Sequence, residues 1–209
     1  YMKTVITLGR QFGSGGKLIG EALSKKLKIP YYDKEILNLA SKSSGINEDF
    51  FREHDEKPNR SLLFSMVTGM RNGIDMTSVP LELPLNHKIF LAQFDTIKKL
   101  AREEPCIIVG RCADYVLKDE PHVLKVFIYA ELESRIQRIS ESKKISEQDA
   151  ADLINKADKE RNNYYNYFSG QKWGQSINYD LCINTTHIRI DQAVQLIESL
   201  ITTLEKDED

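Results

Sequence analysis

No run of eighteen apolar residues occurs anywhere in the 209-residue chain, so a membrane-spanning helix is not expected. No charged-then-apolar leader opens it, so a secretion signal is not expected either. An excess of one charge is also missing. The chain has 29 Lys and Arg against 31 Asp and Glu, a formal net charge of −2. That balance gives no general attraction to nucleic acid or to an anionic membrane, although a local basic site stays open. Cysteine is scarce. Cys106, Cys112 and Cys182 are odd in number and lack metal-ligand spacing. Cys106 and Cys182 lie in apolar runs as packed thiols, and a reducing, cytoplasmic setting is the simple expectation. His54 and His87 are isolated, with no metal partner nearby in the sequence. Internal repeats and low-complexity linkers are absent. What remains is one domain, or one domain with a sizeable insert, able to bury roughly 70% of its unfolded surface.

One stretch stands out. Val5, Ile6 and Leu8 form a short apolar run suited to a buried parallel strand. Gly13, Ser14, Gly15 and Gly16 follow, then Lys17 and Leu18. Ile19, Ala22, Leu23 and Leu27 recur at helical spacing. Strand, glycine-rich turn and helix in that order can aim main-chain N–H groups at an anion, with the positive end of the helix behind them. Glycines permit φ > 0 and close approach to a ligand, and a lysine adds a point charge. The pattern G-x-x-x-x-G-K-[ST] is met only in part. Gly16-Lys17 fits, the first glycine would fall at Gln11, and Leu18 replaces the hydroxyl residue. Ser14 is then the one candidate hydroxyl for a metal. The plainer reading is a β-turn-α corner with a solvated lysine.

Further along, Ile29 to Tyr32 is a brief extended piece, and Asp33 follows it. Asp33 reads either as a helix N-cap or as a ligand-contacting carboxylate past a strand end. The segment 41–86 is weakly patterned and is read as an insert over a substrate, or as a helical extension of the core. Asn47 caps a short helix through Phe51, and His54-Asp55-Glu56-Lys57 is a charged run. The spacing of Phe90, Phe94, Ile97 and Ala101 predicts a helix over 86–103. Cys106 to Val109 is a strand that leads into Gly110 and Arg111. Arginine there suits two-pronged phosphate contacts, or a surface pair with Asp114 or Asp119. Val123 to Ala130 is another strand, followed by a helix bearing Arg135 and Arg138 on one face. Ser146 to Asp149 resembles a capping box, and the helix it opens carries Arg161. This helical hairpin, 140–161, reads as a lid bringing cations to a transferred phosphoryl group, or as an ordinary solvated hairpin. The aromatic run Tyr164 to Phe168 either closes the core or stacks on a base. Asn178 to Thr185 is a last strand, and Ile190 to Leu204 a closing helix.

Strands separated by helices imply a parallel sheet. The layout resembles the nucleoside monophosphate kinases, and in detail the cytidylate kinase-like family. The likeness is carried by Phe12-Gly-Ser-Gly-Gly-Lys17, Pro30-Tyr-Tyr-Asp-Lys-Glu35, Ile108-Val-Gly-Arg-Cys-Ala-Asp114, Asp158-Lys-Glu-Arg161 with the Tyr-Tyr-Asn-Tyr beyond it, and Tyr179-Asp-Leu-Cys-Ile-Asn184. The resemblance implies an α/β, three-layer P-loop NTPase fold over 1–209, with a five-stranded parallel sheet flanked by helices and a helical lid. It implies ATP and Mg²⁺ as cofactors and small nucleotides as substrates, CMP or dCMP among them, with no nucleic-acid or membrane partner. Gly13 to Leu18 would hold the donor phosphates. Asp33, Arg111, Asp114 and Arg135 would serve the acceptor. Lys17, Arg138 and Arg161 would carry catalytic charge. Two positions depart from the family. Leu18 and Ile19 replace a hydroxyl residue, and Val109 replaces an aspartate. These departures leave open a kinase for another small acceptor, or a nucleotide-binding module without turnover.

Overall fold

A computed structural model describes residues 3–56 and 85–206. The central part of the predicted insert, 57–84, lies outside the described residues. With it lie the apolar positions from Leu62 to Met70 and the punctuating Pro58, Gly73, Pro80 and Pro84.

Five strands form one parallel sheet in the order β2-β3-β1-β4-β5. They are β1 (Val5–Arg10), β2 (Tyr31–Tyr32), β3 (Ile107–Val109), β4 (Val123–Tyr129) and β5 (Leu181–Asn184). The predicted parallel α/β architecture is therefore present. β1 is central: Ile6 lies opposite Ile107 on one side and Leu124 on the other. Both faces of the sheet are covered, which is why its strands read as apolar runs rather than as alternation. Ile6, Leu8, Ile107, Val109, Val126 and Ile128 pack on one face against α1 (Gly16–Leu27) and the last helix, α8 (Ile190–Lys206). Val5, Cys106 and Ile108 pack on the other against α2 (Glu35–Ser44), α4 (Leu85–Glu103) and the single-turn α5 (Ala113–Val116).

A third helix, α3 (Glu48–His54), follows α2. Asn47 caps it as predicted, accepting from Asp49 N at 2.9 Å. Phe51 anchors it, fully buried against Leu37, Ala40 and Ile89. Burial of such a side chain contributes about 1.5–3 kcal/mol. α6 (Leu132–Lys143) and α7 (Glu147–Ser169) form the expected hairpin. Ser146 caps α7, accepting from Asp149 N at 3.1 Å. Ile139, Ala150 and Ile154 close the hairpin over Phe12. Its inner face is thus packed onto the glycine loop and is not a free solvated surface.

Three expectations need correction. α2 begins at Glu35, not at Asp33, and no side chain caps it. The Asp33 carboxylate is drawn instead to a guanidinium, described below. The last strand is shorter than predicted. The Asn178 N–H is committed to Gln175 O within a 3₁₀ turn over Ser176–Asn178, so the extended run starts only at Leu181. α5, after Arg111, was not expected. Gly110, Arg111 and Cys112 all have positive φ, which turns the chain sharply and starts a helix.

Candidate active site

Every strand of the sheet ends on one edge, and the predicted site residues gather there. This is where open parallel sheets bind ligands. The loop Gln11–Gly15 leaves the end of β1 with Gly13 at φ 79° and Gly15 at φ 83°. Both are left-handed values that glycine takes without strain. The carbonyls of the loop are all engaged. Gln11 O accepts from Ser14 N and Ser14 Oγ at 3.3 and 2.8 Å. Phe12 O accepts from Arg135 Nη1 at 3.2 Å. Gly13 O accepts from Arg138 Nη1 at 3.5 Å, and Ser14 O from Thr185 Oγ1 at 2.7 Å. With its acceptors held in this way, the loop is preset to present N–H groups to an anion. The helical ladder starts where Ile19 N donates to Gly15 O at 3.0 Å. The N–H groups of Gly16, Lys17 and Leu18 precede it and have no place in that ladder.

Two of the predicted cations serve this loop. Arg135 is buried. Its guanidinium donates to Ala130 O at 3.0 Å, to Phe12 O, and to Asp158 Oδ2 at 2.5 Å. Asp158 Oδ1 in turn accepts from Phe12 N at 2.7 Å. Arg138 donates to Thr185 O and Oγ1 as well as to Gly13 O, tying the loop to the end of β5. Lys17 lies on the solvent side of α1, with its side chain 68% exposed and 3.7 Å from Glu21. Leu18 is exposed.

The other cations converge beside the loop. Arg111 is the largest fully buried side chain in the described structure. It donates to Asp33 Oδ1 at 3.1 Å, to Asp55 Oδ2 at 2.9 Å and to Val109 O at 3.1 Å. Its partners are Asp33 and Asp55, rather than the Asp114 or Asp119 suggested by proximity in sequence. Arg10, at the end of β1, donates to Glu56 Oε1 at 2.7 Å. Arg161 donates from Nε to Glu56 Oε2 at 3.3 Å and from Nη1 to Arg10 O at 3.2 Å. The Arg111 main-chain N–H also reaches Glu56 Oε1, at 3.2 Å. Burial alone would raise the Glu56 carboxyl, but the guanidiniums of Arg10, Arg161 and Arg111 hold it well below the usual carboxylate range. Burial wins at Asp55, which is raised despite Arg111. Asp114 is also raised by burial, and it accepts from the Tyr165 hydroxyl at 2.6 Å.

Arg10 and Glu56 carry no signal in the sequence. One is a loop-flanking arginine, the other part of a charged run, and their contact spans 46 residues. A retrospective cue lies at Gly16. A Cβ there would stand 2.6 Å from the Arg10 Cβ. Gly16 is glycine because the Arg10 stem crosses the first turn of α1.

The donor set does not fit a metal held by the protein. Leu18 offers no side-chain oxygen, and the Ser14 side chain is buried with its hydroxyl donated to Gln11 O. Among the described residues no group of three His, Cys, Asp or Glu could hold a metal ion. The aromatic run closes the core, as one of its two readings expected: Tyr164 and Tyr165 are buried with Cys112, and Phe168 stacks on Phe90 at 4.1 Å.

The sheet order, the glycine loop at its centre and the helical hairpin over that loop define a P-loop kinase fold. Solved structures agree. An uncharacterized protein from Eubacterium ventriosum ATCC 27560 matches with TM-score 0.70 and 28% identity, over 95% of this chain and 98% of that one. The gluconokinase from Sinorhizobium meliloti 1021 (TM-score 0.55, 12% identity, 99% and 95% covered) and the shikimate kinase from Bacteroides thetaiotaomicron (0.53, 15%, 95% and 98%) share the fold. No curated protein matches the chain. The model of the cytidylate kinase-like family matches residues 5–187, and the chain belongs to that family. Among the described residues no helix is long and apolar enough to cross a membrane.

Proposed function

We propose that the protein is an ATP-dependent phosphotransferase whose acceptor is a nucleoside monophosphate, with CMP and dCMP the first to try. One observation carries this reading: a glycine loop with its carbonyls held lies beside a cluster in which the guanidiniums of Arg10 and Arg161 and the main-chain N–H of Arg111 converge on the Glu56 carboxylate. The N–H groups of Gly13, Gly15, Gly16, Lys17 and Leu18, with the Lys17 side chain able to swing in from solvent, take the donor phosphates. Asp33 and Arg111 take the acceptor, with Asp114 behind them on α5. Arg135 holds the loop in shape. Arg138 and Arg161 supply charge to the group in transfer. Catalysis then comes from alignment and electrostatic stabilisation, with no covalent intermediate. A magnesium ion brought by the triphosphate would offset the charge of its phosphate groups, and no described side chain is assigned to hold it.

The poverty of protein oxygens around Leu18 favours one second reading, a nucleotide-binding module without turnover. Both are tested by incubating the protein with ATP, Mg²⁺ and a panel of monophosphates, alongside ATP affinity with and without chelator. ADP formed with one acceptor, and lost in Lys17→Met, supports the kinase. Metal-independent ATP binding with no transfer to any acceptor refutes it in favour of the second reading.

A further inference from the structure

Glu56 fills a place that is built for something larger. Its carboxylate accepts from Arg10, Arg161 and the Arg111 main-chain N–H at 2.7, 3.3 and 3.2 Å. It rests on Gly110, where a Cβ would stand 2.1 Å from Glu56 Oε1 and 2.2 Å from Arg10 Nη1. A bare Cα beside three guanidiniums and an N–H makes an oxyanion cradle that only glycine leaves open. The carboxylates satisfy it incompletely. Arg111 Nε and Asp55 Oδ1 are buried without a hydrogen-bond partner, although the Arg111 side chain is only 1% exposed. The residual cavity is about 20 Å³ and is bordered by Arg10, Glu56, Gly110, Arg111 and Arg161. That is room for about one water and not for a phosphoryl group.

Charge makes the same point. Three guanidiniums face three carboxylates, those of Asp33, Asp55 and Glu56, so the closed cluster is neutral. Withdrawal of Asp55 and Glu56 leaves a charge of +2. A phosphate monoester carries about −1.5 to −2 at neutral pH. The chain's own pair therefore stands in for one dianion in charge and in hydrogen-bonding position. Both residues lie just past the last turn of α3, and Glu56 has φ 52°, a left-handed value that is uncommon for a residue with a long side chain. Phe51 anchors α3 behind them, so the last two residues can leave while the helix stays.

We infer that Arg10, Arg111 and Arg161 form a seat for a phosphate monoester dianion, and that Asp55 and Glu56 are an internal stand-in which this ligand displaces. The inference deepens the kinase reading and rests on it for the identity of the ligand as acceptor. It adds Arg10 and Arg161 to the acceptor's contacts and makes Glu56 a competitor of the substrate.

The test uses the full chain, with inorganic phosphate as probe and chloride of equal ionic strength as control. Wild type, Glu56→Gln and Glu56→Ala are compared by calorimetry and by thermal unfolding. Glu56→Gln keeps the shape and serves if the alanine variant does not fold. The expected result is phosphate affinity at least tenfold tighter in the variants, with a melting temperature lowered in chloride and restored by phosphate. Adding Arg10→Met to Glu56→Gln should abolish the gain. A change below twofold, or a gain that survives Arg10→Met, overturns the inference. Tighter phosphate binding in a protein that turns over no acceptor would sink the kinase reading alone. Turnover by wild type with phosphate binding indifferent to Glu56 would sink this inference alone.

Discussion

Replacing Arg135 by alanine should cost more stability than its peripheral position on α6 suggests. Arg135 and Asp158 hold Phe12 from both sides, the guanidinium on its carbonyl and the carboxylate on its N–H. The pair is largely buried, with side chains 9% and 18% exposed. Removing one partner of such a pair leaves the other charge buried and the Phe12 group unpaired, a loss of about 3–5 kcal/mol. For a domain of this size each kcal/mol lowers the melting temperature by about 2–4 °C, so the loss is about 6–20 °C. Urea unfolding of Arg135→Ala, Asp158→Ala and the double variant measures it, provided the slope is unchanged. The two single losses should not add, because they remove one shared contact; the coupling should reach about 0.5–3 kcal/mol. Arg135→Lys should recover little, since an ammonium cannot serve Ala130 O, Phe12 O and Asp158 together. A loss under about 1 kcal/mol in Arg135→Ala, or full additivity with Asp158→Ala, would refute the clamp.

Two further outcomes follow from the same edge of the sheet. The Glu56 carboxyl is held below its unfolded value, so its contribution to stability is complete above about pH 4.3 and is lost as the pH falls through the folded value. The stability gap between wild type and Glu56→Gln, measured by urea titration, should therefore be widest near neutrality and narrow below pH 4; a gap that widens in acid would contradict the assigned pairs. Gly13→Ala should destabilise by about 2 kcal/mol, since a left-handed φ costs a residue with a Cβ about 1–2 kcal/mol. The new Cβ would also lie 3.0 Å from Ile139 Cγ1 and 3.1 Å from Arg135 Cβ. Gly170→Ala has the same sign of φ but nothing within 4 Å, so it should lose less, and equal losses would show that contact at Gly13 is immaterial.

Much of the scaffold was legible because its signals are local. Val5 to Leu8, Cys106 to Val109 and Val123 to Ala130 are apolar runs because both faces of their sheet are covered. Ser146 and Asn47 announced their helices by short-range capping. Gly13 and Gly15 occupy the left-handed positions that a glycine-rich turn suggests. The charges were harder. Asp33 and Arg111 were each singled out, yet nothing near them in the chain shows that they meet, 78 residues apart. Asp55 and Glu56 read only as part of a charged run, because adjacency of charges says nothing about three arginines arriving from β1, α7 and the turn after β3. The spacing of Arg135 and Arg138 put them on one helix face, but a sequence does not show that main-chain carbonyls of the loop and of Thr185 take up their donors.

The position of β1 has a consequence for how the chain is made. It emerges first, yet its partners on either side come about a hundred residues later, Ile107 and then Leu124 beside Ile6. Its entry is sealed later still, when Glu205 reaches the amide and hydroxyl of Thr4 across 201 residues. Closing loops of that length before any contact rewards them makes assembly slow. A nascent chain halted ahead of β4 would carry its central strand with an edge unpaired, ready to join a neighbouring copy, so prompt completion protects this fold from aggregation.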